Sequence, residues 1–278
     1  MSTKVYWWNS PLNFGDWITP YILGRFGVNF EYALLRNADL ISVGSILGWA
    51  LNLKYLLWYL LFRSKKIVVL GSGLMRYPKF SILHYIKFKF LDVRLVRGPL
   101  TKQAVLRFLG NNVPCGDPGL LAATFYDKPL LTVKYKVGLI PHHSSYEEFS
   151  KLSLPLDWLL IDPRTSNCDF IFESICQCQL IISQSLHGLI VSDSFQIPNI
   201  WLYSRDLHAG GDFKFRDYFL SIGRSPSLCY RVNNISEVIT ASASEFSSLS
   251  FQIDSQVLHA VSSIILSEFE RYVQSELI

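Results

Sequence analysis

The feature that most constrains this chain is a repeated alternation of short apolar runs with longer amphipathic stretches. Residues 4–8, 40–43, 67–70 and 93–96 read as strands, and residues 16–26 read as a helix closed by Gly27. Gly44 and Gly71 follow the second and third runs, and Gly98-Pro99 follows the fourth. Pro99 suits the first turn of a helix and Gly110 its C-terminal cap. A second series begins near Lys134, with strands at 135–140, 158–161, 180–183 and 199–203. Strands alternating with helical stretches are the pattern of parallel sheets covered by helices. Two such series predict an α/β chain with two Rossmann-like lobes, 1–130 and 131–240, meeting near residues 125–135. The ligand site is expected in the cleft where the strand ends of the lobes face one another. A Ser-rich stretch at 240–250 reads as a linker, and 256–273 as a helix packing back, so that 241–278 completes the chain. No internal repeat of fixed period is evident.

At 278 residues the chain can bury one large core or two modest ones. Half the residues are hydrophobic and 17% are charged, which excludes disorder. The net charge of +4 fits an acidic small substrate or an anionic membrane surface, and is too weak for a nucleic-acid partner. Five cysteines without a regular framework predict reduced thiols in a cytoplasmic protein. The Cys176-Gln177-Cys178 pair reads as core packing at the approach to a strand, not as a metal site. The N-terminus lacks an apolar signal core and reads as the first strand.

Residues 47–62 are almost wholly apolar and are followed by Arg63-Ser64-Lys65-Lys66. The run falls short of the ~20 residues that span a bilayer and is interrupted by Asn52 and Lys54. Two readings stay open: a buried or lobe-packing helix, or membrane-surface contact through residues 47–66 with the basic cluster on anionic lipid.

Five places carry candidate chemistry. Ser185-Leu186-His187-Gly188 follows a strand and opens a helix, so free N–H groups and the helix dipole favour a phosphate or carboxylate there. Ser185 adds a hydroxyl, Leu186 and Gly188 contribute amides, and Gly188 admits a close ligand. An anion beside His187 would favour the protonated imidazole; the plainer reading is a histidine that caps the helix. Arg97 stands at the end of its strand, where its fork suits a carboxylate or phosphate, and Arg94 points the other way as a surface or salt-bridged residue. Asn13 and Asp16 follow the first strand, Asp16 either capping a helix or serving the cleft as a base. Gly71 and Ser72 form a second turn of anion-binding type, and His142-His143 ends a strand without the carboxylates or cysteines a metal would need.

Taken in order, Asn13-Phe14-Gly15-Asp16, Gly44-Ser45-Ile46-Leu47, Gly71-Ser72-Gly73, Val96-Arg97-Gly98-Pro99 and Asp117-Pro118-Gly119 resemble the polysaccharide pyruvyl transferase family. The resemblance continues through Ile140-Pro141-His142-His143, Ser183-Gln184-Ser185-Leu186-His187-Gly188 and Lys214-Phe215-Arg216-Asp217-Tyr218, over residues 5–225. It implies a GT-B-like enzyme with the acceptor on the N-terminal lobe and the donor on the C-terminal one. Such an enzyme moves pyruvate from phosphoenolpyruvate to a sugar of a cell-surface polysaccharide or its lipid-linked precursor, as a cyclic ketal and without a cofactor. By that resemblance His187 is the acid/base and phosphate partner, Arg97 grips the donor, and Asn13, Asp16 and His142 face the acceptor. Many relatives carry Arg where this chain has Ser185, so Lys214, Arg205 or Arg216 is the candidate replacement cation. The competing readings are a nucleotide-sugar glycosyltransferase of similar architecture and a silent carbohydrate-binding protein. The expected location is cytoplasmic, with peripheral contact at the inner face of the membrane.

Overall fold

The computed structural model describes residues 2–109, 112–127, 132–203 and 211–276. Among these, ten strands make two five-stranded sheets that are parallel throughout. The first contains β1 (Thr3–Tyr6), β2 (Phe30–Tyr32), β3 (Leu40–Ile41), β4 (Ile67–Leu70) and β5 (Leu91–Leu95), in the order β2-β1-β3-β4-β5. The second contains β6 (Tyr135–Ile140), β7 (Trp158–Leu160), β8 (Cys178–Ser183), β9 (Asn199–Tyr203) and β10 (Tyr230–Arg231), in the order β10-β9-β8-β6-β7. The two orders are one topology used twice. Each sheet starts at an inner strand, adds its second strand on one side and builds the rest on the other. The order therefore reverses between β1 and β3 and again between β6 and β8, and such a reversal leaves a crevice beyond the carboxyl ends of the strands. Strands covered on both faces read as continuous apolar runs; all four residues of β4 are buried.

Twelve α-helices accompany the sheets among the described residues. Those of the first half are α1 (Phe14–Arg25), α2 (Leu47–Ala50), α3 (Leu56–Phe62), α4 (Leu83–Phe88), α5 (Pro99–Val105) and α6 (Ala122–Phe125). Those of the second are α7 (Tyr146–Phe149), α8 (Cys168–Cys176), α9 (Leu186–Ser194), α10 (Phe213–Ser221), α11 (Ala243–Leu249) and α12 (Ser255–Glu276). One apolar cluster runs through both halves: Phe14, Ile18 and Ile22 of α1 pack with Phe172 and Ile175 of α8 and Leu189 and Ile190 of α9. The Phe14 N–H donates to the Pro163 carbonyl at 2.9 Å, so α1 begins against the second half. Helix α12 returns to the first half, where Ile265 covers Gly116 and Phe269 stacks on Phe26 at 5.3 Å.

Several expectations are corrected. Helix α1 starts at Phe14 because Asn13 takes the extended cap backbone (φ −157°, ψ 119°), so Asp16 lies in the first turn and is not the cap. Gly27 closes that helix region at φ +67°, as its lack of a Cβ allows. The Ser-rich stretch expected as a linker contains α11, begun where the Ser242 hydroxyl accepts the Glu245 N–H at 3.2 Å. Gly110, Arg205 and the boundary between 130 and 131 fall outside the described residues. Cys176 and Cys178 are buried with free thiols, pushed up to about 12 by burial. Residues 47–62 are not one helix, because Asn52 accepts the Lys54 N–H at 2.9 Å and starts a new turn between α2 and α3. Leu47, Ala50, Leu51 and Tyr59 enter the core, while Leu57, Leu60, Leu61 and Phe62 face outward. No helix among the described residues is long and apolar enough to cross a membrane.

Candidate active site at two facing switch points

The two chain reversals meet. At the carboxyl end of β8 the Ser183 hydroxyl accepts the Ser185 N–H at 3.0 Å and lies 2.9 Å from the Ser185 carbonyl, which pins a tight turn. Ser185 then becomes the N-cap of α9, its hydroxyl accepting the Gly188 N–H at 3.4 Å. The Leu186 and His187 amides, in the first turn, have no acceptor within the helix. Ser185 therefore serves the helix. Gly188 answers to packing, since a Cβ there would strike the Ser183 hydroxyl.

His187 leaves this turn toward α1, and its side chain packs against Gly15, where a Cβ would overlap the imidazole. Its Nε2 is buried and has no hydrogen-bond partner. Burial, then the positive fields of Lys214 and Arg97, push its pKa down to about 3. The protein surroundings thus favour the neutral imidazole, whereas the charged donor was expected beside a bound anion. Gly15→Ala should displace the ring and lower kcat about 100-fold, although alanine is the better helix former by ~1 kcal/mol. Steady-state kinetics beside a thermal melt checks this.

Asp16 faces the same region from the first turn of α1. Its Oδ2 accepts from Asn13 Nδ2 at 2.8 Å, and its Oδ1 approaches the Gly44 turn beyond β3. Burial raises its pKa to about 6, against the opposing pull of the Asn13 bond and Lys214. From the end of β6, the His142 N–H donates to Gln184 Oε1 at 3.0 Å, its Nδ1 lies 2.7 Å from Ser144 Oγ, and its ring centre lies 4.0 Å from that of His143 with the planes tilted by 43°. Burial, His143 and Lys214 together hold His142 down at about 3. Lys214, from α10, is the common electrostatic neighbour of Asp16, His142, His143 and His187. Burial first and Arg97 second lower it to about 7, and Asp16 pulls the other way. Among the described residues its ammonium makes no hydrogen bond or ion pair.

Arg97 does not reach a cleft. It is fully buried, with Nε on Asp217 Oδ2 at 3.1 Å, Nη1 on Ser45 Oγ at 2.8 Å and Nη2 on the Leu74 carbonyl at 2.6 Å. Asp217 also accepts the Thr101 N–H at 2.9 Å and the Thr101 hydroxyl at 2.6 Å. The guanidinium is thereby committed to protein groups, where a direct grip on a ligand was expected, and its bond to Asp217 ties the end of β5 to α10, the helix that carries Lys214. Ser72 is likewise structural, its hydroxyl accepting the Ile46 and Leu47 N–H groups and donating to the Gly44 carbonyl at 3.0 Å. Gly71 adopts φ +88° with Pro118 packed against it. Of the candidate replacement cations, Arg216 is exposed and lies 4.0 Å from Asp212, Arg205 is outside the described residues, and Lys214 is at the site.

The structure thus brings together His187, Asp16, Asn13, His142 and Lys214, and holds Arg97, Gly71 and Ser72 behind them. Sequence reasoning gave no role to Gly15 or Asp217. Both sit inside the motif stretches quoted above, and a lone carboxylate three residues after Lys214 was the available signal.

The family model for polysaccharide pyruvyl transferases matches residues 2–206, and so bears out the resemblance read from the motifs, with Lys214–Tyr218 beyond the matched stretch. The chain is 30% identical over 229 residues to the succinoglycan biosynthesis protein ExoV of Rhizobium meliloti (strain 1021), covering 79% of this chain and 65% of that protein. It is 30% identical over 172 residues to an uncharacterized protein of Acanthamoeba polyphaga mimivirus, covering 58% of this chain and 56% of that one. The chain therefore spans less than two thirds of either relative. A crystal structure of a functionally uncharacterized protein from Klebsiella pneumoniae subsp. pneumoniae NTUH-K2044 superposes with a TM-score of 0.50 at 14% identity, over 84% of this chain and 93% of the other, and shares the fold.

Proposed function

The chain belongs to the polysaccharide pyruvyl transferase family, and from that premise we propose that it transfers pyruvate from phosphoenolpyruvate to a sugar, as a cyclic ketal. The acceptor is a polysaccharide or its lipid-linked precursor, met in a GT-B-like cleft on the cytoplasmic side of a membrane. The observation that carries this reading is the buried, unpartnered Nε2 of His187, set between cations at the start of α9.

In the proposed reaction a sugar hydroxyl bonds to the central carbon of the donor while the methylene carbon gains a proton and becomes a methyl group. A second hydroxyl of the same sugar then closes the ketal, the bond from carbon to the phosphate oxygen breaks, and inorganic phosphate leaves with the second proton. Lys214 and the free amides of α9 hold the donor's negative charge. That charge offsets the fields of Lys214 and Arg97 on His187, raising its pKa so that it can take a hydroxyl proton and pass one on. Asp16, poised near 6, and Asn13 and His142 face the acceptor. The steps need only proton transfer and phosphate departure, so the reading includes no metal or cofactor.

The test is incubation with phosphoenolpyruvate and a panel of galactose-, mannose- and N-acetylhexosamine-containing acceptors, following phosphate release and product mass. A ketal-sized mass gain with equimolar phosphate is the expected result. Thermal stabilisation by nucleotide sugars and none by phosphoenolpyruvate overturns the proposal in favour of a glycosyltransferase. Lys214→Met is expected to weaken donor binding about 10- to 100-fold, the worth of one charged hydrogen bond. It should also raise stability. The folded-state pKa of Lys214 is lowered from 10.5 to about 7, so its charge penalises the fold in full below pH about 7 and the penalty fades as pH rises toward 10.5. Melts of both proteins at pH 6 and pH 10 check the sign: the stabilisation by methionine shrinks at the higher pH.

A further inference from the structure

We propose that the outward faces of α3 and α4 form a surface that docks on an anionic lipid bilayer. A surface helix ordinarily turns its polar side to water, and these two do the reverse. On α3, Leu57 is 68%, Leu61 65% and Phe62 69% exposed, with Leu60 beside them, while Tyr59 is buried. On and just before α4, Ile82 is 76% exposed and is joined by Leu83, Tyr85 and Ile86, while Lys87 and Phe88 are buried. Leu57, Leu60 and Leu61 share a face at helical spacing, as do Ile82, Tyr85 and Ile86. The helices touch through their inner sides, where Lys87 Nζ sits 3.2 Å from the Tyr59 ring centroid. The exposed apolar side chains therefore stand on the outer sides of two elements in contact.

Charge selects the occupant. Residues 40–91 contain Lys54, Arg63, Lys65, Lys66, Arg76, Lys79, Lys87 and Lys89, and no Asp or Glu. Lys54, Lys65, Lys66, Arg76, Lys79 and Lys89 are exposed on the segments that flank the two helices. An apolar centre with a mainly basic surround, Glu31 and Asp39 being the acidic groups that share a groove with Phe62 and Lys65, matches a bilayer whose acyl region lies beneath anionic headgroups. Tyr77 and Tyr85 are exposed at the same face, as suits rings at headgroup level. Inward of this face lies a cavity of about 740 Å³ lined by Trp49, Asn52, Tyr77, Lys79 and His84 and reaching Ser45, the hydrogen-bond partner of Arg97. The cavity thus runs from the docking face to the Ser45 side chain that holds Arg97, which fits a membrane-borne acceptor. The inference deepens the reading of the acceptor given above, but its test needs no acceptor.

The full chain is floated with phosphatidylcholine vesicles, with and without phosphatidylglycerol, beside Leu61→Ser/Phe62→Ser and Lys65→Glu/Lys66→Glu variants whose melts match the parent. The expected result is flotation only with phosphatidylglycerol, weakened about tenfold or more by the serine pair, about fivefold per reversed lysine, and by salt near 1 M. The same variants keep their turnover of a water-soluble acceptor, so a failure of docking is distinguishable from a failure of the proposed reaction. Absence of flotation on any vesicle, or flotation that neither variant changes, overturns the inference. So does a concentration-dependent dimer by sedimentation that the serine pair abolishes while vesicles are ignored, since the patch then belongs to a second copy.

Discussion

His187→Gln is expected to lower kcat by about 10³-fold with little change in melting temperature. The stability half of that expectation follows from the imidazole's surroundings. Nε2 is buried without a partner, so removing the ring deletes no protein hydrogen bond from that nitrogen, and glutamine fills similar space. The pH profile supplies the control that a structural role would not move. Free His187 is held near 3, so its own titration lies below the working range of kcat/KM. The limbs belong instead to Asp16, near 6, and Lys214, near 7. If ionised Asp16 and charged Lys214 are both needed, kcat/KM climbs as pH rises through about 6 and falls as it passes about 7. Lys214→Arg should abolish the alkaline limb, because a guanidinium does not titrate there. Asp16→Asn should remove the part of the acid limb that is not the donor phosphate, which itself titrates near pH ~6. A profile unchanged in both variants, or full activity in His187→Gln, would remove these residues from the mechanism.

The course of the main chain was legible because parallel strands carry their burial in consecutive residues. Ile67–Leu70 needs no tertiary information to be read as a strand. The short edge strands β2 and β10 were not read, since Phe30–Tyr32 is half exposed and Tyr230–Arg231 is only two residues long. The doubled strand order escaped notice because it repeats a topology, not a sequence. Position along a strand identified His187 correctly as a residue at the mouth of a parallel sheet. The same rule misplaced Arg97, whose partner Asp217 stands 120 residues away on another helix. A strand-end position says where a side chain starts, and only the packed partner says where it ends. Gly15 shows this from the other side: its missing Cβ is explained by a ring from the opposite half of the molecule. The apolar run at 47–62 divided for a local reason, the Asn52 turn, that composition alone does not weigh.

Asp217→Ala is expected to destabilise the fold by about 3–5 kcal/mol, because it leaves the Arg97 guanidinium buried and uncompensated. Thermal unfolding should fall by roughly 10 °C, at 2–4 °C per kcal/mol for a domain of this size. Arg97→Ala should cost a similar amount for the mirror-image reason, since Asp217 would lose its cation while remaining fully buried. Neither single variant can then separate catalysis from folding, and the pair must be changed together. Arg97→Met/Asp217→Leu replaces two buried charges by apolar groups of related length, a change that is commonly neutral or stabilising. The double variant should therefore recover most of the lost stability. It should not recover turnover. Thr101 and the Leu74 carbonyl would lose their links to α10 and to Arg97, and Lys214, carried on that helix, would lose its aim. Recovered melting with kcat still reduced about 100-fold, as expected for a displaced charged group, marks the ion pair as the device that positions Lys214. Recovery of both would show that the pair serves the fold alone, and that Lys214 is held by the Tyr218 hydroxyl on Asp193 at 2.7 Å, one residue further along the same helix.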